Sequence, residues 1–183
     1  QCEELGILDD KAQYVHCTGA YNNELPASGY DANKPRAKDC WAFGMAQIFS
    51  SVSPAMHDEF EIELVKPLYE SFGLMYYGCC EPLEKVIPYI RKTKNVRKIS
   101  VSPWADIEKS AEEIGGDYVF SAKPNPSFIS SGIIEKDCMI DQIDRVIKAA
   151  DINNTPVELV LKDISTVGNR LEVLDEWAET VMN

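Results

Sequence analysis

The stretch LMYYGCCEPLEKVIPYI, residues 74–90, contains the pattern that decides the fold. Its first four residues, Leu74 to Tyr77, form a short apolar run that is typical of a buried β-strand. From Leu83 to Ile90, apolar residues recur at the spacing of one helix face. The strand therefore passes into a helix at Gly78 to Glu81, where a glycine, two thiols and a carboxylate coincide.

The same strand and helix unit recurs through the rest of the chain. Strands that alternate with helices of 10 to 15 residues indicate a parallel sheet with right-handed crossovers. The pattern predicts further strands at Lys98–Val101, Tyr118–Ala122 and Val157–Leu161, and helices at Asp106–Ile114, Asp137–Ala150 and Asn169–Met182.

The segment before residue 53 is less regular. Gln13–Cys17 is a plausible strand, which makes five in total, and Asp39–Phe49 is predicted to be helical. Residues 21–38 form a long polar loop that is rich in turn-forming residues. We expect one domain, residues 1–183, and the start of the chain at Gln1 leaves open a fragment, a processed chain or a split gene product.

A long amphipathic helix is predicted after Ser53, which is a good N-cap residue followed by proline at the first helical position. Its apolar face is predicted to consist of Phe60, Leu64, Leu68 and Phe72. His57 and the glutamates Glu59, Glu61 and Glu63 are expected on the solvated face.

Five parallel strands fit either a doubly wound sheet or about half of a barrel. Polar and reactive residues follow nearly every predicted strand, and in a barrel such strand ends meet at one mouth, whereas an open sheet concentrates them at a single switch point. This favours the barrel. The residues concerned are His16 and Cys17, Cys79 to Glu81, Ser102, Lys123 with Asn125, and Lys162 with Asp163.

Composition excludes several classes of protein. A formal net charge of −12 without any block of Lys or Arg argues against a nucleic-acid partner, which would need positive charge to neutralise phosphates. No apolar run approaches the length that crosses a bilayer, so a cytoplasmic protein without a membrane partner is expected. The six cysteines are irregularly spaced in a chain large enough to need no disulfides, which favours reduced thiols.

Four residues are the leading chemical candidates. Cys79 and Cys80 carry thiols where a barrel places its active site, although buried cysteine can also serve as a small apolar residue. Lys123 could bind a substrate carboxylate or phosphate, whereas a Schiff-base role would need a depressed pKa that no sequence neighbour explains. Asp163 could anchor a ligand or cap a turn.

A resemblance to a known superfamily rests on three segments together. They are YYGCCEPL at residues 76–83, ISVSPWAD at residues 99–106 and KPNP at residues 123–126. From about Asp39 onward the chain resembles the uroporphyrinogen decarboxylase-like proteins, which include corrinoid-dependent methyltransferases. The resemblance implies the C-terminal half of a (β/α)8 TIM-type barrel, about five parallel strands with flanking helices. It also implies an N-terminal half-barrel, or a second copy of the chain, as a partner.

The corrinoid-linked methyltransferases of this superfamily bind zinc, so the resemblance implies a zinc site. These bind the metal through a His-x-Cys at a strand end and a later Cys, and the metal turns a thiol co-substrate into a thiolate that takes a methyl group from methylcobamide. Here the His position is Tyr77, the Cys position is Cys79, and the later Cys would fall near Lys162, where the chain has none. A different ligand set could hold zinc, with Cys79 or Cys80, Glu81, and His16 or Cys17 as its members.

We therefore expect a methyltransferase that acts with a corrinoid protein on a small-molecule methyl donor or acceptor. Cys79, Glu81 and Lys123 are the catalytic candidates, and Tyr77, Ser102, Asn125 and Asp163 are the substrate-binding candidates. One alternative is a cofactor-free decarboxylase or other lyase of the same fold. Another is a non-catalytic half-barrel subunit that binds a corrinoid partner.

Overall fold

The protein is described by a computed structural model that covers residues 1–130 and 132–182. Helices and strands alternate along most of this chain. The strands are β1 (Tyr14–Val15), β2 (Thr18–Gly19), β3 (Trp41–Gly44), β4 (Leu74–Tyr77), β5 (Val96–Val101), β6 (Val119–Ala122) and β7 (Val157–Leu159). The helices are α1 (Pro54–His57), α2 (Glu63–Tyr69), α3 (Ile87–Ile90), α4 (Ile107–Ile114), α5 (Ser127–Ser130), α6 (Lys136–Asn153) and α7 (Glu172–Met182).

Strands β3 to β7 form one parallel sheet, in which the strands lie side by side in chain order. A doubly wound sheet requires a reversal of this order, and none occurs in the described part of the chain. The sequence prediction of an α/β fold with a five-stranded parallel sheet and flanking helices is confirmed.

The two faces of the sheet differ in chemistry because successive strand residues point in opposite directions. One face buries apolar side chains such as Met75, Ile99 and Phe120 with the apolar sides of the helices. The other face carries the polar side chains of alternate residues, which include Tyr76, Lys98, Ser100, Ser121 and Glu158. The candidate site lies on this polar face, at the carboxyl ends of the strands.

The first strand of the sheet is not the predicted one. Residues 14–19 form a separate antiparallel hairpin, in which Tyr14 pairs with Gly19 and Val15 with Thr18. The sheet begins instead with β3, in the middle of the segment predicted to be the helix Asp39–Phe49. That prediction is wrong because the segment is a four-residue strand between two short 3-10 helices, and its strand character depends on pairing with β4.

The helix after Ser53 begins as predicted, with the Ser53 hydroxyl accepting a hydrogen bond from the Met56 amide at 3.2 Å. It runs through α1, a π-helical turn at Asp58–Ile62 and α2. Its buried face is not the predicted one, because Phe60, Leu64 and Leu68 are 51%, 70% and 61% exposed. The buried residues are instead His57, Glu61, Ile62 and Tyr69, so the predictions of solvated His57 and Glu61 are wrong.

No helix in residues 1–130 and 132–182 combines the length and the apolar character needed to cross a membrane. Residues 21–36 of the predicted loop contain neither a helix nor a strand, whereas its last two residues, 37 and 38, belong to a 3-10 helix.

Candidate functional site

The hairpin formed by β1 and β2 lies on the polar face of the sheet and supplies part of the site. Lys98 anchors it, because the Lys98 ammonium donates to the Gly19 carbonyl at 2.8 Å and to the Thr18 hydroxyl at 3.2 Å. Lys98 also forms an ion pair with Glu158 at 2.7 Å, and Thr18 donates to the same carboxylate. These buried polar contacts hold the hairpin over the strands that carry the reactive residues.

The two-residue turn of the hairpin consists of His16 and Cys17 and points at the end of β4. His16 has φ +50°, a backbone conformation that non-glycine residues seldom adopt but that two-residue hairpin turns require. Its imidazole packs at a tilt against the Phe43 ring, with ring centroids 4.2 Å apart, and its Nε2 lies 3.1 Å from Cys79 Sγ. The turn therefore places an imidazole beside a thiol that lies 63 positions later in the chain.

Three side chains meet in a geometry that a metal ion could use. Ligand atoms of His16, Cys17 and Cys79 all lie within 4.8 Å of one another. Zinc accepts nitrogen and sulfur ligands in tetrahedral sites, and three protein ligands leave one position for a substrate. Partial desolvation, followed by the charges of Lys162 and Lys123, lowers the pKa of His16, so its ring is neutral at pH 7 and has a lone pair for ligation. The chemistry of these donors fits zinc.

Lys162 contacts both adjacent thiols. Its ammonium donates to Cys79 Sγ at 3.2 Å and to Cys80 Sγ at 3.0 Å, while the two sulfurs are 3.5 Å apart. Asp163 lies 3.2 Å from the Lys162 ammonium and accepts from Cys80 Sγ at 3.6 Å. Burial raises the pKa of Cys79 to about 11, and the hydrogen bond from Lys162 opposes that rise.

The loop that carries the thiols is fixed by its neighbours on both sides. Gly78 has φ +95°, and a Cβ atom there would come within 2.4 Å of the Leu83 side chain, so glycine is required at this turn. Glu81 is buried, and its carboxylate accepts from the Cys79 amide at 3.0 Å and the Ala46 amide at 3.2 Å. Glu81 thus ties the end of β4 to the loop after β3.

Lys123 lies deeper, at the end of β6. Its amine hydrogen-bonds to the Tyr76 hydroxyl, to the Ser121 hydroxyl at 2.8 Å and to the Ser121 carbonyl at 3.0 Å. Tyr76 in turn lies 3.5 Å from Cys17 Sγ, so a continuous chain of polar contacts links Lys123 to the hairpin turn. Burial lowers the pKa of Lys123 to about 8, and the nearby charge of Lys162 acts in the same direction.

Some of these groups border a pocket of about 180 Å³. Both thiols, both lysine side chains and Asp163 contribute to its wall, together with Pro103, Trp104 and Pro126 from the loops after β5 and β6. Strand ends that are distant in sequence therefore reach a common cavity, where thiols, amines and a carboxylate are available for chemistry.

The other predicted site residues lie apart from this pocket. Tyr77 points to the opposite face of the sheet, where its hydroxyl donates to buried Glu61 at 2.6 Å. Asn125 caps α5, because its side-chain oxygen accepts from the Ser127 amide at 3.0 Å. Ser102 is buried, its hydroxyl has no hydrogen-bond partner among the described residues, and it lines a small neighbouring cavity together with Lys123.

Sequence reasoning assigned no role to two residues of the site, Tyr76 and Lys162. Tyr76 could have been found by following strand alternation back from Lys123, since both project on the polar face. Lys162 follows β7 closely, and its position after a strand was the available signal. Its contact with the thiols depends on how β7 lies against the rest of the sheet.

Comparisons of this chain with protein-family models, with curated proteins and with solved structures found no match. Inferences about its function therefore depend on the residues of the site and on the sequence resemblance described above.

Proposed function

We propose that this protein is a uroporphyrinogen decarboxylase-like methyltransferase, the C-terminal half of a (β/α)8 barrel, that binds zinc through His16, Cys17 and Cys79 and acts with a corrinoid protein. The observation that carries the proposal is the convergence of these three ligand atoms within 4.8 Å beside a pocket at the strand ends. Parallel strands in chain order support the half-barrel, because a barrel has this order.

The proposed ligand set differs from the superfamily pattern at two positions, and other residues supply the ligands in both cases. Position 77 has a tyrosine whose side chain faces the core, and the imidazole comes instead from His16 on the hairpin. Lys162 is near the place where the pattern has its later cysteine, and Cys17 supplies a second thiol. A His and two Cys ligands with an open fourth position match a known class of catalytic zinc sites.

The residues around the pocket then have specific roles in methyl transfer. Zinc, when bound, would hold a thiol co-substrate as the thiolate that accepts the methyl group. Lys162 balances the negative charge that develops near Cys79 and Cys80, and Asp163 holds the Lys162 ammonium in place. Trp104 and the two prolines form the part of the pocket wall against which a small methyl donor or acceptor can pack.

Metal analysis of the purified protein tests the proposal. After loading with zinc and dialysis, we expect one zinc per chain in the wild type and in Cys138→Ser, because Cys138 is exposed and far from the site in sequence. We expect loss of most of the metal in Cys79→Ala and in His16→Asn. Asparagine tolerates the left-handed backbone conformation of residue 16, so the latter variant removes the imidazole without straining the turn.

A catalytic assay separates metal binding from methyl transfer. With methylcobalamin and 2-mercaptoethanol as substrates, the absorbance of cobalamin should report demethylation that depends on zinc and on Cys79. Wild-type protein that retains no zinc, or demethylation that is equal in the wild type and Cys79→Ala, would contradict the proposal.

A further inference from the structure

Three lysines project on the polar face of the sheet or at its carboxyl end, and two of them have carboxylate partners. Lys98 pairs with Glu158 at 2.7 Å, and Lys162 pairs with Asp163 at 3.2 Å. Among the described residues, no carboxylate lies within 4.0 Å of the Lys123 amine. Lys123 therefore differs from its neighbours in having no ion-pair partner among the described residues.

The burial of Lys123 makes this difference important. The residue is 3% exposed, and a buried ammonium without a counterion carries a large desolvation cost. The protein reduces that cost by releasing the proton, which is why the pKa of Lys123 falls to about 8. A fraction of the protein at neutral pH then carries a neutral amine, the nucleophilic form of lysine.

The groups around Lys123 suit a neutral amine. Its two N–H bonds can donate to the Ser121 carbonyl and hydroxyl, at 3.0 and 2.8 Å, and its lone pair can accept from the Tyr76 hydroxyl. Tyr76 is fully buried and its hydroxyl is in hydrogen-bonding contact with the amine, where it can act as the proton donor. Nucleophile and proton donor are thus in direct contact.

The surrounding space has room and polarity for a small ligand. Lys123 and Lys162 border the same 180 Å³ pocket, and the Lys162 ammonium can attract a carboxylate. Ser102, which shares the adjoining cavity with Lys123, has a buried hydroxyl without a partner in the described chain. A bound ligand oxygen would remove the cost of that unpaired hydroxyl.

We propose that Lys123 forms an imine with small carbonyl compounds that carry a carboxylate, such as 2-oxo acids. The amine lone pair attacks the carbonyl carbon, a C–N bond forms, and the C=O π electrons move to the oxygen, which takes a proton from Tyr76. The resulting carbinolamine loses its hydroxyl group as water while the C=N bond forms. The released water contains the carbonyl oxygen and two protons. Tyr76 donates protons to that oxygen and is reprotonated by the two protons that the amine loses, so the hydroxyl ends as it began. No atom is oxidised or reduced.

This activity goes beyond the zinc-dependent methyl transfer proposed above and needs no metal. It corresponds to the chemistry of a cofactor-free lyase, since an imine withdraws electrons from a neighbouring carbon and so eases loss of carbon dioxide or a proton. Failure of one proposal leaves the other intact, because the imine can be tested on protein from which zinc has been removed by a chelator.

Reductive trapping tests the inference directly. The protein is incubated with glyoxylate and sodium cyanoborohydride, which converts an imine to a stable secondary amine, and the modified peptide is located by mass spectrometry. We expect one adduct per chain, on Lys123, with a labelling rate that rises with pH around a midpoint near 8. Exposed Lys148 lies outside the pocket and should be labelled more slowly at neutral pH.

Three variants test which side chains the adduct requires. Lys123→Gln should abolish the specific adduct, Tyr76→Phe should slow its formation at least several-fold, and Lys148→Gln should leave it unchanged. Labelling spread over exposed lysines with Lys123 unmodified in the wild type would overturn the proposal. Because the peptide map is made on the wild-type chain, this outcome can be read even if a variant fails to fold.

Discussion

Lys162 is the residue on which the reactivity of the two adjacent thiols depends. A buried thiol is a poor nucleophile because burial disfavours the thiolate, and a nearby ammonium counteracts this effect. Lys162 donates to both sulfurs from one nitrogen, so a single side chain controls the pair.

Replacement of Lys162 by methionine should therefore slow alkylation of Cys79. The pKa of Cys79, already raised to about 11, would rise further without the ammonium. At a fixed pH near 8 the thiolate fraction falls about tenfold for each unit by which the pKa rises. Iodoacetamide labelling with peptide mapping measures the rate, and exposed Cys138 in the same chain is the internal control. An unchanged ratio of Cys79 to Cys138 labelling would show that Lys162 has no such effect.

At the scale of single elements, the helix after Ser53 has a buried face with a polar hydrogen-bond network and an exposed face with apolar side chains. The buried Glu61 carboxylate accepts from Tyr69 at 2.7 Å and from Tyr77 at 2.6 Å, and His57 Nε2 lies 2.8 Å from the Tyr77 hydroxyl. Burial alone would raise the pKa of Glu61, but the hydrogen bonds from His57, Tyr77 and Tyr69 outweigh it and the pKa lies below its ordinary value.

Glu61→Gln should destabilise the protein by about 2 kcal/mol at neutral pH, because two phenols lose a charged acceptor. A carboxyl group with a depressed folded-state pKa stabilises the protein above its unfolded-state pKa, and this stabilisation is lost as the pH falls through the folded-state value. The difference between wild type and variant should therefore shrink below about pH 4. Urea denaturation at several pH values measures it, and Glu59→Gln on the exposed side of the same helix is the matched control. Equal stability of the two variants at pH 7 would rule out this role for Glu61.

The same helix shows where sequence prediction succeeds and where it fails. The strands β4 to β7 were predictable because short apolar runs have few alternatives in a buried sheet. The buried face of the helix was not, because the burial of His57 and Glu61 depends on their contact with each other and on hydrogen bonds with Tyr77, which comes from β4.

The candidate site likewise contains features that the sequence predicts and features that it does not. Cys79, Cys80 and Lys123 were predictable because they directly follow strands whose apolar character is evident in the sequence. The sequence also grouped His16 and Cys17 with Cys79, but as the end of a strand of the same sheet, whereas the structure brings them there on a hairpin laid across the sheet and held by Lys98. Contacts of this kind follow from tertiary packing, which a local sequence pattern does not encode.

At the scale of the whole molecule, the sheet has two edges. Within the described chain, β3 and β7 each pair with one neighbouring strand only. In the proposed half-barrel these are the strands that another half would meet, and exposed strand edges promote pairing between chains. The helix that contacts β3 carries an exposed apolar stripe of Phe60, Leu64 and Leu68.

We therefore expect the 183-residue chain to self-associate through β3 and this stripe. In sedimentation equilibrium, the weight-average mass should rise above the monomer mass of 20.5 kDa as the concentration increases. Leu64→Glu should weaken the association by placing charge in an apolar contact, whereas Ile152→Glu should not, although Leu64 and Ile152 are equally exposed at 70%. Ile152 belongs to α6, away from β3, so the comparison separates a specific contact from general hydrophobic adhesion. A monomer mass at every concentration, or equal weakening by both substitutions, would contradict pairing at the β3 edge.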